Sequence, residues 1–195
     1  HSATIKRLVY ASSSSVYGGN DKKPFSVEDR VDNPVSLYAA TKKSNELMSY
    51  CYSHLYGIEA VGLRFFTVYG PWGRPDMAYF KFAKMMREGK PIPIYNNGQM
   101  KRDFTYIDDI VAGIAAAVDR DLSFDEGEVK HRVYNLGNNQ SETLMDYVDT
   151  LENALGMTAE KEMLPMQPGD VVETYADITD TQRDLGYKPT TSIKQ

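Results

Sequence analysis

The chain has 195 residues, with 22 basic and 27 acidic side chains and a formal net charge of −5. Because no block of basic residues stands out, this balance argues against nucleic acid or an anionic membrane as the main partner. No apolar run reaches the roughly 18 residues that a membrane-spanning helix needs, so we expect no membrane-spanning segment in this sequence.

Cysteine and histidine are scarce. Cys51 is the single cysteine and there are three scattered histidines, so we expect no metal site. One cysteine cannot form an internal disulfide, which suits a reducing compartment and predicts a cytoplasmic protein. Cys51 itself is expected to be a small, buried apolar residue.

The first predicted element is a strand followed by serines. The apolar run from Leu8 to Ser12 predicts a buried strand of a parallel sheet. Serines occupy positions 12 to 15, and Val16-Tyr17-Gly18-Gly19 follows. Small hydroxyl residues at the carboxyl end of such a strand lie where open α/β sheets bind ligands. A serine-rich turn without a ligand is the alternative that the composition leaves open.

After a loop at 20–35, residues 36–56 predict a long helix that contains Tyr38 and Lys42. Side chains four residues apart lie on one face of a helix, one turn from each other. An ammonium beside a phenol favours the phenolate, so such a pair can act as an acid–base device. The same spacing also occurs by chance on many helices, so it does not establish a site.

We expect this helix to be capped by Ser36 or Asn33 and to end at Gly57. It also carries an apolar stripe, which can be either core or a helix-pairing face. The stripe consists of Leu37, Leu47, Met48, Cys51 and Leu55.

The run from Ile58 to Phe66 predicts the next buried strand, and helix followed by strand is half of a right-handed crossover unit. The loop at 67–75 would then face the serine loop across one crevice. Beyond it the patterns predict several shorter elements. They are helices at 76–87, 110–118 and 142–155, a last short helix ending near Gly186, strands at 132–136 and 161–165, and a hairpin around Asn96-Asn97-Gly98.

Six motifs occur in a fixed order over essentially the whole chain. They are LVYASSSSVYGG, YAATK, LRFFTVYGPWGRPDMAYFKF, GQMKRDFTYIDDIVAGI, VYNLGN and MQPGDVVETYADIT. As an ordered set they resemble the extended short-chain dehydrogenase/reductase superfamily, in particular its nucleotide-sugar epimerases and dehydratases. The run TVYGPWGRPDMAYFKF is most similar to the UDP-glucuronate 4-epimerases.

The resemblance implies an α/β fold. Residues 1–70 would be the C-terminal part of a Rossmann-like parallel sheet that binds NAD. Residues 71–195 would form mainly a smaller α+β domain that binds the nucleotide sugar, with some returns to the Rossmann sheet.

The resemblance also implies a reaction and its catalytic residues. Tyr38 would take the proton from the sugar 4-hydroxyl, and Lys42 would bind the nicotinamide ribose. Ser13 would hydrogen-bond the same sugar oxygen, with Ser15 as the alternative because four serines make the register ambiguous. Hydride would move from C4 to NAD and return to the other face of a 4-keto sugar.

Further residues match binding positions of that family. Phe65 and Val68 would line the nicotinamide side, and Thr67 with the serine loop would face the sugar. Arg102 matches an arginine that binds the diphosphate, since a guanidinium fork suits phosphate oxygens. An ion pair with Asp103 is the alternative reading of Arg102.

Three more positions are assigned to the substrate site. Asp170 matches the acid that binds the nucleotide ribose, with a turn aspartate as the alternative. Arg74 would steady the loop beside a sugar carboxylate, or it is a solvated charge. Met77 would lie near the nucleotide through its backbone. Many sugar epimerases carry an arginine where this chain has Gln167.

The serine loop favours epimerisation. Related 4,6-dehydratases place a carboxylate in this loop for elimination of water, and the stretch Ser12–Gly19 contains no Asp or Glu. We expect a UDP-glucuronate/UDP-galacturonate 4-epimerase. The alternatives are a UDP-glucose/galactose 4-epimerase, a sugar-nucleotide dehydratase, and a non-catalytic nucleotide-sugar-binding or dimerisation module.

The glycine-rich loop that such enzymes use for the NAD pyrophosphate does not occur in this sequence. We therefore expect the chain to be a fragment that binds NAD weakly or not at all and has no turnover alone. Its first strand would have an open edge. Family members pair through the Tyr-x-x-x-Lys helix, so we expect a homodimer.

Overall fold

A computed structural model describes residues 5–167 and 170–195. Its centre is a parallel sheet of three strands, β1 (Arg7–Ser13), β2 (Glu59–Phe65) and β7 (His131–Leu136), in the order β1-β2-β7. The middle strand β2 is buried from Ala60 to Arg64, as a strand covered on both faces should be. The predicted α/β fold with a parallel sheet is confirmed.

Strand β1 is less buried than predicted. Within the described residues it pairs only with β2, and Leu8 is half-exposed. An edge strand that lacks a neighbour leaves its outer side chains in water, which explains the difference.

The helix that carries Tyr38 and Lys42 is α1 (Leu37–Tyr56). Ser36 is its cap, because the Ser36 hydroxyl accepts a hydrogen bond from the Ala39 N–H at 3.1 Å. Gly57 ends the helix with a φ of 65°, a left-handed conformation that glycine adopts without strain. Of the two predicted caps, Ser36 is confirmed and Asn33 is wrong.

The apolar stripe of α1 faces outward in this structure. The buried residues of the helix are Ala39, Glu46 and Ser53, which are seven apart and form a narrow seam against the sheet. The other predicted members of the stripe and Cys51 are exposed. The predicted burial of Cys51 is wrong because Cys51 does not lie on that seam.

The remaining elements surround this sheet and build a second lobe. The helices are α2 (Ala78–Arg87), α3 (Ile107–Asp119), α4 (Leu144–Leu155) and α5 (Thr179–Leu185). The short strands are β3 (Thr67–Tyr69), β4 (Ile92–Ile94), β5 (Lys101–Arg102), β6 (Phe104–Tyr106), β8 (Glu142–Thr143), β9 (Lys161–Met163) and β10 (Glu173–Thr174).

The predicted hairpin around Asn96-Asn97-Gly98 is wrong. Asn96 and Asn97 do turn the chain, each with a φ of 49°. The strands on either side then pair with distant segments: β4 pairs with β9, while β5 pairs with β8 and β10. The local turn signal was correct, but long-range pairing decides which strands are neighbours.

Two apolar clusters fill the interior. The first lies around the central sheet and takes residues from β2 and β7 and also from α3 and α5. The second lies in the other lobe, where α2 and α4 pack against β4. Segments beyond residue 70 thus contribute to both clusters, and the domain boundary at residue 70 stays a prediction.

A buried ion pair joins α1 to the sheet. Arg64 on β2 donates two hydrogen bonds to the Glu46 carboxylate, Nε to Oε1 at 2.8 Å and Nη2 to Oε2 at 2.9 Å. The Ser12 hydroxyl, at the end of β1, donates to the same carboxylate at 2.6 Å. Both charged side chains are only 3% exposed. Lys43 adds a more exposed contact at 3.2 Å.

The charges of this pair stabilise each other against the cost of burial. Burial disfavours the Glu46 carboxylate, but the hydrogen bonds from Arg64 and Ser12 outweigh it, so the pKa of Glu46 lies below its usual value. Removing one member of a buried pair leaves the other charge without compensation, which costs about 3–5 kcal/mol.

We therefore predict that Glu46→Gln lowers the free energy of unfolding by about 3 kcal/mol or more. The matched control Lys43→Gln removes only the partly exposed partner and should cost at most about 1 kcal/mol. Urea denaturation of the three proteins measures both effects. Equal stabilities for the wild type and Glu46→Gln would show that the pair does not hold α1 in place.

The same pair sets a pH dependence. Because the folded-state pKa of Glu46 is depressed, its stabilisation is present above the usual glutamate value near 4.5 and is lost as the pH falls through the lower folded value. The decrease in the free energy of unfolding that comes from protonation of Glu46 should therefore be absent from the Glu46→Gln variant.

Candidate active site

The serine loop follows β1 directly and folds back on itself. Ser13 is the last residue of β1, and residues 14–17 form a short 3₁₀ turn. The Ser13 hydroxyl oxygen accepts hydrogen bonds from the Ser15 backbone N–H at 3.2 Å and from the Ser15 hydroxyl at 2.9 Å. The two candidate catalytic hydroxyls are therefore in contact.

Gly18 closes this turn with a φ of 56°, and a Cβ there would lie 2.3 Å from the Asn33 carbonyl oxygen. Glycine is required at this position because any side chain would collide with the backbone of the following loop.

A cavity of about 460 Å³ opens beside the carboxyl ends of β1 and β2. It brings together seven of the residues that the sequence assigned to catalysis, cofactor and substrate. They are Ser13, Tyr38, Lys42, Phe65, Val68, Arg74 and Met77. These residues come from β1, α1, β2, β3 and the loop before α2, so the predicted crevice is formed by five separate segments.

Tyr38 and Lys42 lie one turn apart on the face of α1 that borders this cavity. The Lys42 ammonium donates to the Ala11 carbonyl oxygen at 3.1 Å and lies 5.7 Å from the centre of the Tyr38 ring. The Tyr38 side chain is 55% exposed, so its hydroxyl is accessible to a ligand. The arrangement provides a phenol, an ammonium and a serine hydroxyl around one space.

A second, smaller cavity of about 200 Å³ is lined by the other four assigned residues: Ser15, Thr67, Arg102 and Asp170. Ser15 lies in this cavity and Ser13 in the larger one, so the hydrogen bond between them marks where the two cavities adjoin.

Arg102 and Asp170 face each other in the smaller cavity at 3.9 Å. Burial lowers the pKa of Arg102, and the Asp170 carboxylate partly opposes this. The guanidinium also donates to the backbone oxygens of Lys101 and Val172. Pro168 and Gly169, which precede Asp170, lie outside the described residues.

The alternative reading of Arg102, an ion pair with Asp103, is wrong. The Asp103 carboxylate is fully buried and accepts hydrogen bonds from the backbone N–H groups of Asn138, Asn139 and Ala176. Burial raises the pKa of Asp103 to about 6, although these hydrogen bonds act in the opposite direction. Asp103 thus links its own segment to two others through hydrogen bonds, and Arg102 lines the smaller cavity beside Asp170.

Arg74 lies at the rim of the larger cavity. Its guanidinium donates to Asp76 at 3.1 Å and is largely exposed. This position is compatible with both interpretations of Arg74: a solvated charge on the loop, or a side chain that turns toward a bound ligand.

Sequence reasoning missed the Glu46–Arg64 pair and its contact with Ser12. A signal was present, because Arg64 is the only charge in the otherwise apolar run AVGLRFF. A charged residue inside a predicted buried strand needs a buried partner. The sequence does not show which partner it has, because Glu46 is 18 residues away.

Two kinds of feature are absent from the described part of the chain. Residues 5–167 and 170–195 contain no cluster of histidine, cysteine and acidic side chains that could hold a metal ion. Among the helices described, none combines the length and the apolar character needed to cross a bilayer.

Comparison with known proteins identifies the family. Residues 1–137 match the model of the NAD dependent epimerase/dehydratase family. Protein CapI of Staphylococcus aureus is 54% identical and is matched over 97% of this chain and 60% of its own length. UDP-glucuronate 4-epimerase 4 of Arabidopsis thaliana is 52% identical, over 96% of this chain and 45% of its own length.

A solved structure agrees with these relatives. The UDP-glucuronic acid 4-epimerase of Bacillus cereus, in complex with UDP-glucuronic acid and NAD, superposes with a TM-score of 0.85 at 38% identity. The match covers 96% of this chain and 58% of that protein. The chain thus spans about half the length of the proteins it matches.

The resemblance inferred from the ordered motifs is confirmed by these matches in sequence and in fold. This chain belongs to the NAD dependent epimerase/dehydratase family.

Proposed function

We propose that this chain is the catalytic and nucleotide-sugar-binding part of an NAD-dependent UDP-sugar 4-epimerase, acting on UDP-glucuronate and UDP-galacturonate. One observation carries the proposal: Tyr38, Lys42 and Ser13 line a single cavity with Arg74 at its rim. A base, a nearby cation and a second hydroxyl are suited to moving the proton at the hydroxyl of a sugar alcohol while a bound cofactor exchanges the hydride.

In this proposal Tyr38 removes the proton from the sugar 4-hydroxyl. Lys42 places an ammonium one helical turn away, where it stabilises the negative charge that develops during proton transfer. Ser13 hydrogen-bonds the same sugar oxygen, because it shares the cavity with Tyr38 and Ser15 does not.

The larger cavity also fits the nicotinamide end of NAD. Phe65 and Val68 give it an apolar wall suited to a flat ring, and Lys42, which lines the same cavity, would bind a ribose hydroxyl. When bound, NAD supplies a reversible hydride acceptor for the sugar C4. The protein's own part is to hold the sugar, move the proton at O4 and keep the 4-keto sugar in place.

The smaller cavity would hold the nucleotide. The Arg102 guanidinium suits diphosphate oxygens, and the Asp170 carboxylate suits ribose hydroxyls. Thr67 and Ser15 would face the sugar at the junction of the cavities, and Met77 would lie near the nucleotide through its backbone. A nucleotide sugar that spans both cavities would have its sugar next to Tyr38.

The reaction type rests on what the serine loop lacks. Elimination of water needs an acid and a base beyond the tyrosine, and no Asp or Glu lies between Ser12 and Gly19. This favours epimerisation over dehydration. UDP-glucuronate is the preferred substrate because relatives at about half identity carry that name. Parallel assays with UDP-glucuronate and UDP-glucose distinguish the acidic sugar from a neutral one.

We also propose that the complete enzyme is a homodimer that pairs through α1. The outward stripe of Leu47, Met48 and Leu55 would be buried between two copies, which removes an exposed apolar patch. The mass of the enzyme in solution tests this pairing.

The decisive variant is Tyr38→Phe in the complete enzyme, in which this chain is joined to the glycine-rich half that the family resemblance implies. Loss of the phenol should lower turnover of UDP-glucuronate by about a hundredfold or more, because proton transfer is lost while the ring is retained. Turnover is measured by separating the two epimers.

Tyr56→Phe is the matched control, since Tyr56 lies on the same helix, is exposed and borders neither cavity. It should retain full turnover. If Tyr38→Phe is as active as this control, Tyr38 is not the base. If neither the wild type nor the control has turnover, the reading as a non-catalytic nucleotide-sugar-binding module is favoured.

The isolated 195 residues should bind NAD weakly and show no turnover. They contain the groups for the nicotinamide ribose but no Gly-x-x-Gly-x-x-Gly loop for the pyrophosphate. Isothermal titration calorimetry with NAD should detect no micromolar binding, whereas UDP-glucuronate, whose proposed subsites lie within the chain, should bind. Micromolar NAD affinity would contradict this part of the proposal.

A further inference from the structure

Trp72 is the only tryptophan of the chain, and its side chain is fully exposed, at 100% of its accessible surface. It nevertheless lines the larger cavity, together with Tyr38 and Lys42. A large aromatic side chain is normally buried for most of its surface, since burial of its apolar area is strongly favourable. The apolar surface of this indole is therefore available for contact at the cavity and is not covered by any of the described residues.

The backbone holds the indole in this position at a conformational cost. Trp72 has a φ of 63°, in the left-handed region that residues with a Cβ seldom adopt. The loop around it is tightly constrained: Gly70 has a φ of 133°, and a Cβ on Gly73 would lie 1.8 Å from the Tyr79 hydroxyl oxygen. Unusual backbone of this kind clusters at ligand-binding sites.

The position of Trp72 within the site indicates which part of a ligand the indole would contact. Trp72 borders the larger cavity and not the smaller one with Arg102 and Asp170. Under the proposed function, the larger cavity holds the sugar and the smaller one the nucleotide. Arg74, two residues further along the same loop, also lies at the rim. The loop thus contributes a flat apolar ring and a cation to the lining of the same cavity.

We propose that the Trp72 indole packs on the C–H face of the sugar ring of the nucleotide sugar bound in the larger cavity, and so covers the sugar from solvent. This inference rests on the proposed function. Pyranose rings present a set of C–H groups on one face, and such a face packs well on an aromatic ring. Contact with the ligand would bury the indole and exclude water from the sugar.

The single tryptophan makes the contact directly measurable. Emission of the isolated chain is recorded while UDP-glucuronate or UDP is added, and the affinity of each ligand is measured by calorimetry. UDP-glucuronate should shift the emission to shorter wavelength, because the indole leaves water. UDP, which lacks the sugar, should bind without this shift.

Two variants test the energetic role. Trp72→Ala should weaken binding of UDP-glucuronate about tenfold and leave binding of UDP unchanged. Trp72→Phe keeps an aromatic ring and should recover most of the affinity. Because the side chain is fully exposed, neither change should disturb folding, and circular dichroism checks this.

The outcomes separate this inference from the proposed function. If UDP-glucuronate binds with unchanged emission and Trp72→Ala binds it equally well, the inference is wrong and the proposed function stands. If Trp72→Ala weakens UDP and UDP-glucuronate alike, the indole meets the nucleotide and the inference is also wrong. If the wild-type chain binds neither ligand, the proposed nucleotide-sugar site and this inference fail together.

Discussion

The hydrogen bonds that converge on the Glu46 carboxylate hold the candidate site together. Arg64 reaches Glu46 from β2, and Ser12 reaches it from the end of β1. Ser12 precedes Ser13, and Arg64 precedes Phe65, while Glu46 lies one helical turn after Lys42. A single buried carboxylate therefore fixes the relative positions of the serine loop, the cavity-lining end of β2 and the helix with Tyr38 and Lys42. Since buried ion pairs contribute little net stability over an apolar core, the geometric constraint is the more important effect.

Two further sets of hydrogen bonds, one local and one long-range, shape the rest of the site. Ser13 and Ser15 are hydrogen-bonded to each other and line different cavities, so a ligand long enough to reach both cavities would meet the phenol in one and Arg102 in the other. Asp103 holds the neighbouring segments through their backbone N–H groups and keeps its own charge away from Arg102. The buried Asp103 carboxylate therefore has its hydrogen-bond partners within the protein, whereas Arg102 faces the space proposed for a diphosphate.

Local patterns were sufficient for the main elements. The apolar run before Phe66 predicted β2, and Ser36 and Gly57 marked the two ends of α1. The spacing of Tyr38 and Lys42 then placed both side chains on one face of that helix. The other site residues were predicted from the resemblance of the ordered motifs to the family. In the structure these residues line two cavities.

The predictions that failed concern the identity of particular distant partners. The turn at Asn97 was recognised, yet β4 and β5 pair with strands some 40 to 70 residues away, which a local signal cannot specify. Cys51 was expected in the core because a free cysteine is usually a small, buried apolar residue, but only a narrow seam of α1 meets the sheet. The partner of Arg64 was likewise undetermined, because charge alone does not show which carboxylate will be buried beside it.

The most direct test is a crystal structure of the proposed enzyme with UDP-glucuronate bound. We predict that the Tyr38 hydroxyl lies about 3 Å from the sugar O4, with the Ser13 hydroxyl on the same oxygen and Arg102 on the diphosphate. A bound sugar whose 4-hydroxyl points away from Tyr38 and Ser13 would contradict it.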